Sequence, residues 1–115
     1  MATEEEVGSF LNDFKTKLSI WDVLYLDSRA KNTQALIDLD IRPIDRKSVL
    51  EGLGVTDFSE GPKADKMLGG ADMWIFGKSV NSKEVYIKIT LGISGSSVIC
   101  ISFHIAEHKM NYPFK

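Results

Sequence analysis

Cysteine is almost missing from this chain. Cys100 is the only one, so no internal disulfide can form and no cysteine pair exists for a thiolate metal site. That scarcity suits a reducing cytoplasm. Long apolar runs are missing too. The longest lies near Val98–Ile101, far short of the roughly 20 residues that a membrane-spanning helix needs. The Met1–Glu6 stretch is acidic and has neither the basic start nor the apolar core of a secretory leader, so none is expected. Nor is there an excess of positive charge: 14 Lys and Arg stand against 16 Asp and Glu. This balance argues against a generic nucleic-acid coat, whose affinity comes from neutralising phosphates, but leaves room for a local basic site. No glycine-rich phosphate loop or dinucleotide fingerprint is present. A disordered chain is excluded, because 43% of the residues are hydrophobic.

What is present fits one domain over residues 1–115, with a helical half to about residue 54 and a sheet half from about residue 55. Val7, Phe10, Leu11, Phe14 and Leu18 recur at spacings of three and four, which predicts a helix over 3–19. Thr3 and Glu6 fit a capping box at its start. Ile20–Leu26 reads as a short strand, and Asn32 or Thr33 to Leu39 as a short helix. A further helix runs from Pro43 to Leu53, closed by Gly54. The period then changes. Met73–Val80, Glu84–Leu91 and Val98–Ile105 read as three strands. Asn81-Ser82 and Gly92–Ser97 join them as antiparallel hairpins. Residues 61–70 read as a loop between Gly61-Pro62 and Gly69-Gly70, carrying Lys63, Asp65 and Lys66.

Strand alternation carries most of the chemistry. Val85, Ile87, Ile89 and Leu91 point to one face, and Glu84, Tyr86, Lys88 and Thr90 to the other. Strict alternation in the last strand puts Ile99, Ile101, Phe103 and Ile105 in the core, with Cys100, Ser102 and His104 opposite. The polar face then gathers Tyr86, Lys88, Ser102 and His104, a set able to move protons and stabilise charge on a phosphodiester. Lys78 on the preceding strand is a candidate to join them. Lys63 and Lys66 near Trp74 could clamp an RNA backbone while the indole stacks a base. The plain alternative is a solvated sheet face with Trp74 in the core. His104 and His108, with Glu107, also form an H-x-x-E-H string, the pattern of inverted zinc metallopeptidases, which needs both histidines on one helix face. Its place at the end of a strand argues against that use, so no metal or other cofactor is expected.

Several strings together resemble the MqsR-type toxins of bacterial type II toxin–antitoxin systems. They are Val49-Leu50-Glu51-Gly52-Leu53, Asp57-Phe58, Trp74, Val85-Tyr86-Ile87-Lys88-Ile89-Thr90 and Val98-Ile99-Cys100-Ile101-Ser102-Phe103. The resemblance implies an α+β, RelE-like toxin fold, with helices on one face of a small curved antiparallel sheet. It also implies a metal-independent endoribonuclease that cuts mRNA through attack of the ribose 2′-hydroxyl. Its expected partners are mRNA and a cognate antitoxin protein, with any oligomer formed through the antitoxin, in the cytoplasm and away from membranes. By position, Tyr86 corresponds to the family's strand tyrosine. His104, Glu60 and Ile75 stand where the family has a lysine, a lysine and a glutamine. The expected site is therefore Tyr86 and His104 as the acid–base pair with Lys88 or Lys78 for charge, and Lys63, Lys66, Trp74 and Ser102 on RNA. Two other readings stay open: a toxin-fold protein that has lost catalysis and binds a partner, and a small zinc hydrolase built on His104, Glu107 and His108.

Overall fold

The computed structural model describes residues 2–65 and 70–115. The chain begins with helix α1 (Glu4–Trp21). Thr3 caps it: the Thr3 hydroxyl accepts from the Glu6 N–H at 3.2 Å, and the Thr3 N–H donates to the Glu6 carboxylate at 3.0 Å. Glu4, Glu5 and Glu6 place negative charge at the positive end of the helix dipole. The helix stops at Asp22, whose φ of 65° no helix can continue. Strand β1 (Val23–Tyr25) follows, then α2 (Ala30–Asp38) and α3 (Asp45–Glu51).

The second half supplies β2 (Phe58–Lys63), β3 (Met73–Val80), β4 (Lys83–Thr90) and β5 (Val98–Ile105). The five strands form one sheet in the order β1-β5-β4-β3-β2. The fold is α+β, with helices packed on the sheet. The sheet is mixed and not wholly antiparallel, because β1 runs parallel to β5 while the other neighbours are antiparallel. At the β3–β4 turn, Asn81 and Ser82 both have positive φ, the geometry of the tightest hairpin. Strand β2 departs from the expected loop. Its Ser-Glu-Gly-Pro-Lys composition reads as a turn, yet it pairs with β3 through two register shifts, one at Ser59 and one that absorbs Gly61 and Pro62.

The core lies between α1 and one sheet face. Phe10, Leu11, Phe14 and Leu18 meet Trp74, Phe76, Ile87, Ile89 and Phe103. Phe10 stacks on Trp74 with ring centroids 4.5 Å apart and planes 11° from parallel. Near β1, the buried Arg46 forks onto Asp27 at 2.7 and 3.0 Å and lies 3.8 Å over the Tyr25 ring, tying α3 to the β1 segment.

Strict alternation fails in β5. Cys100 pairs with Ile89 and Ser102 with Lys88, so Ile101 is an extra residue in a β-bulge. Before the bulge, Val98 and Cys100 face the core; after it, Phe103 does. Cys100 is thus a core residue, and Ile99, paired with Thr90, turns away. Asn32 of α2 fixes the bulge. Its side-chain amide donates to the Ile101 carbonyl at 3.0 Å and to Leu26 at 3.0 Å, and its oxygen accepts from the Phe103 N–H at 3.0 Å. Where β1 ends, one side chain continues the pairing that a longer strand would have supplied.

Asn32 is 2% exposed, so Asn32→Ala strands a backbone donor with no access to water. The expected cost is about 2–4 kcal/mol, read as a fall in the urea midpoint, with the largest loss of amide-exchange protection at Ser102 and Phe103.

Candidate functional site

The face of the sheet away from α1 holds an open cleft of about 620 Å³. Strands β3, β4 and β5 build its floor. Tyr86 and His104 are directly paired across β4 and β5, as are Lys88 and Ser102. On β3, Ile75 lies opposite Lys88, and Gly77 opposite Tyr86. The Tyr86 and His104 rings stack with centroids 5.2 Å apart at 15°. From α2 and the residue before it come Arg29 and Lys31; from β2, Ser59 and Glu60; from the segment after β5, His108 to Asn111.

The His104 Nδ1 lies 3.0 Å from the Ile105 carbonyl oxygen. A carbonyl only accepts, so Nδ1 carries the proton and Nε2 of the neutral ring is left as an acceptor. Burial raises the pKa of the Tyr86 phenol above its ordinary value; Lys63 pulls it back, Glu60 pushes it up and Arg29 pulls it back. Tyr86 is therefore a proton-bearing donor near neutral pH. Burial also lowers the pKa of Lys88; Arg29 and Lys63 lower it further, and Glu60 raises it in part. Lys63 itself is paired with Glu60 at 2.8 Å.

Of the residues expected at the site, Tyr86, Lys88, Ser102 and His104 come together, and Lys63 stands within electrostatic reach through its effect on Tyr86 and Lys88. Lys78 does not join them. It pairs with Val85, on the core side of the sheet, and its ammonium bonds Asp57 at 2.9 Å. Trp74 is also on that side, 9% exposed beneath Phe10, and has no free ring face to offer a base. Lys66 lies outside the described residues. The H-x-x-E-H string is not helical: His104 is in β5, and Glu107 and His108 follow in a bend. Glu107 is instead held by Lys31 at 2.7 Å. Among the described residues no group of three metal-ligating side chains is gathered.

Sequence reasoning missed Arg29. Its guanidinium Nη1 donates to the Ile101 carbonyl at 3.2 Å and to the Ser102 hydroxyl at 3.3 Å, contacts 72 and 73 residues away in sequence. No local pattern around Ser28–Asn32 marks such a contact. Glu60 and Ile75 both line the cleft.

The chain after β5 forms one wall by folding back over Gly77. The Tyr112 phenol donates to Glu84 at 2.6 Å, and Phe114 stacks on Phe58 at 5.6 Å. A methyl at Gly77 would overlap the Tyr112 hydroxyl and ring. Gly77→Ala is expected to release this wall, seen as faster amide exchange over residues 108–114. The effect is not additive with Tyr112→Ala, which removes the obstacle. For the electrostatics, Arg29→Gln takes away a positive neighbour, so the Lys88 pKa, followed by NMR titration of its side chain, is expected to rise toward the ordinary value.

No protein-family profile, curated protein or solved structure matches this chain.

Proposed function

We propose that the cleft binds RNA and cleaves its backbone without a metal, in the manner of a ribonuclease toxin. The observation that carries this reading is the Tyr86–His104 stack beside Lys88: an acceptor nitrogen, a proton-bearing phenol and a cation on one sheet face. In the reaction, His104 Nε2 takes the proton of a ribose 2′-hydroxyl. The 2′-oxygen attacks the adjacent phosphorus, and the bond from phosphorus to the 5′-oxygen breaks. Tyr86 supplies the proton that the leaving oxygen needs, giving a 2′,3′-cyclic phosphate and a free 5′-hydroxyl. Lys88 offsets the charge that builds on the non-bridging oxygens. The resemblance to MqsR-type toxins supports the same reading, and with it a cognate antitoxin as protein partner.

A second reading has its own observation. Glu60 brings a carboxylate into the cleft and ties up Lys63, while Ile75 gives the floor an apolar spot. These features suit a toxin-fold protein that retains the partner-binding role without the cutting.

The test is cleavage of single-stranded RNA by purified protein in excess chelator. Wild type is expected to cut, and His104→Ala and Tyr86→Phe are expected to lose about 10²-fold or more in rate. Wild type that leaves RNA intact, while still binding the product of a neighbouring gene tightly, favours the second reading. Normal cutting by both variants overturns the roles given to these two side chains.

A further inference from the structure

We infer that Arg29, Lys88 and Ser102 form a phosphate-binding site at the base of the cleft, with Arg29 as its principal clamp. The inference deepens the RNA reading, on which the identity of the anion as a backbone phosphate rests.

Geometry comes first. Ser102 and Lys88 are directly opposed across β4 and β5, and the Arg29 guanidinium reaches down onto the Ser102 hydroxyl. Only Nη1 of Arg29 is engaged with the protein; Nε and Nη2 bond to nothing among the described residues. Ser102 accepts from Arg29, so its own O–H is free to donate. Lys88 has no hydrogen-bond or ion-pair partner among the described residues, although it lines the same cleft. The result is a converging set of donors, of which Arg29 Nε and Nη2, the Ser102 O–H and the Lys88 ammonium have no acceptor among the described residues.

The charges point the same way. Elsewhere in this protein the well-placed cations have carboxylates: Arg46 has Asp27, Lys78 has Asp57, Lys31 has Glu107 and Lys63 has Glu60. Arg29 and Lys88 are left as two like charges close enough for Arg29 to lower the Lys88 pKa. Arg29 is exposed and Lys88 half-buried, and an anion between them relieves their repulsion. Glu60 also acts on Lys88, raising its pKa, and is paired with Lys63 at 2.8 Å. A tetrahedral phosphate oxyanion accepts from a guanidinium fork, an ammonium and a hydroxyl at once, which a planar carboxylate fits less fully. His104 is the next cleft-facing residue along β5 from Ser102, two cross-strand pairs away, so a phosphate held here has the acceptor Nε2 and the Tyr86 phenol at its flank.

The test uses two probes. Inorganic phosphate is titrated by NMR into wild type, Arg29→Gln, Arg29→Lys, Lys88→Met and the control Lys15→Gln. A 2′-O-methyl RNA, which has no nucleophile and cannot be cut, is titrated by fluorescence anisotropy into the same set. Phosphate is expected to shift the Ser102 amide and the Lys88 side chain saturably, to raise the Lys88 pKa and to displace the RNA. Arg29→Gln and Lys88→Met are expected to weaken both ligands about tenfold or more, Arg29→Lys to restore part of the loss, and Lys15→Gln to change neither. Lys88→Met keeps the test sharp, because Lys88 bonds nothing that folding requires. Phosphate that leaves Ser102 and Lys88 unmoved, or Arg29→Gln that binds and cuts RNA like wild type, overturns the site. Saturable phosphate binding lost in both variants, in a protein that neither binds nor cuts RNA, upholds the site and removes the RNA reading.

Discussion

The bulge at Ile101 is the constraint on which the cleft depends. A strand has a period of two, so Val98 and Cys100 facing the core would put Ser102 and His104 in the core as well. One extra residue reverses that parity. Downstream of it Phe103 returns to the core, and Ser102 and His104 turn to the cleft beside Lys88 and Tyr86. Asn32 makes the bulge affordable by satisfying the backbone groups that it displaces. A helix residue thus decides which way a strand's chemistry points. Arg29, three positions earlier on the same segment, lands on the bulge for the same reason.

Both sheet faces are therefore used, and they divide the chemistry between them. On one, α1 covers aromatic and aliphatic side chains, and Lys78 sits at the margin on Asp57. On the other lie the polar residues and a segment of the chain's last ten positions. Cys100 belongs to the first face. Its burial pushes the thiol up to about 12, so it packs as an inert apolar group. The separation keeps the cations of the cleft, exposed Arg29 and half-buried Lys88, away from the core and within reach of an anion from solvent.

Periodic segments were legible from sequence. The α1 spacing, the Thr3–Glu6 cap and the Asn81-Ser82 hairpin follow from local rules that tertiary contacts did not override. That Tyr86, Lys88, Ser102 and His104 share a face followed from alternation, because Ser102 and His104 lie downstream of the bulge. Upstream, the same rule misplaced Cys100 and Ile99. The bulge is set by Asn32, some 70 positions away, and leaves no local trace. Lys78 and Trp74 were given to the cleft by their neighbours in sequence, yet parity on β3 assigns both to the core side. Strand β2 hid behind Gly61 and Pro62, residues that ordinarily end strands and here sit at register shifts. Arg29 was invisible because its role rests wholly on long-range contacts.

The fold-back of Tyr112 over Gly77 has a bearing on when the cleft exists at all. Its lining runs from Arg29, ahead of α2, to Asn111, beyond β5, and β1 enters the sheet only by pairing with β5. Such contacts form late, since distant segments must meet before any of them is rewarded. While the protein is being made, helix α1 can form, but the sheet that would bear the cleft lacks the strand that joins β1 to β4 until β5 emerges. Whatever the cleft holds, an incomplete nascent chain has no place to hold it.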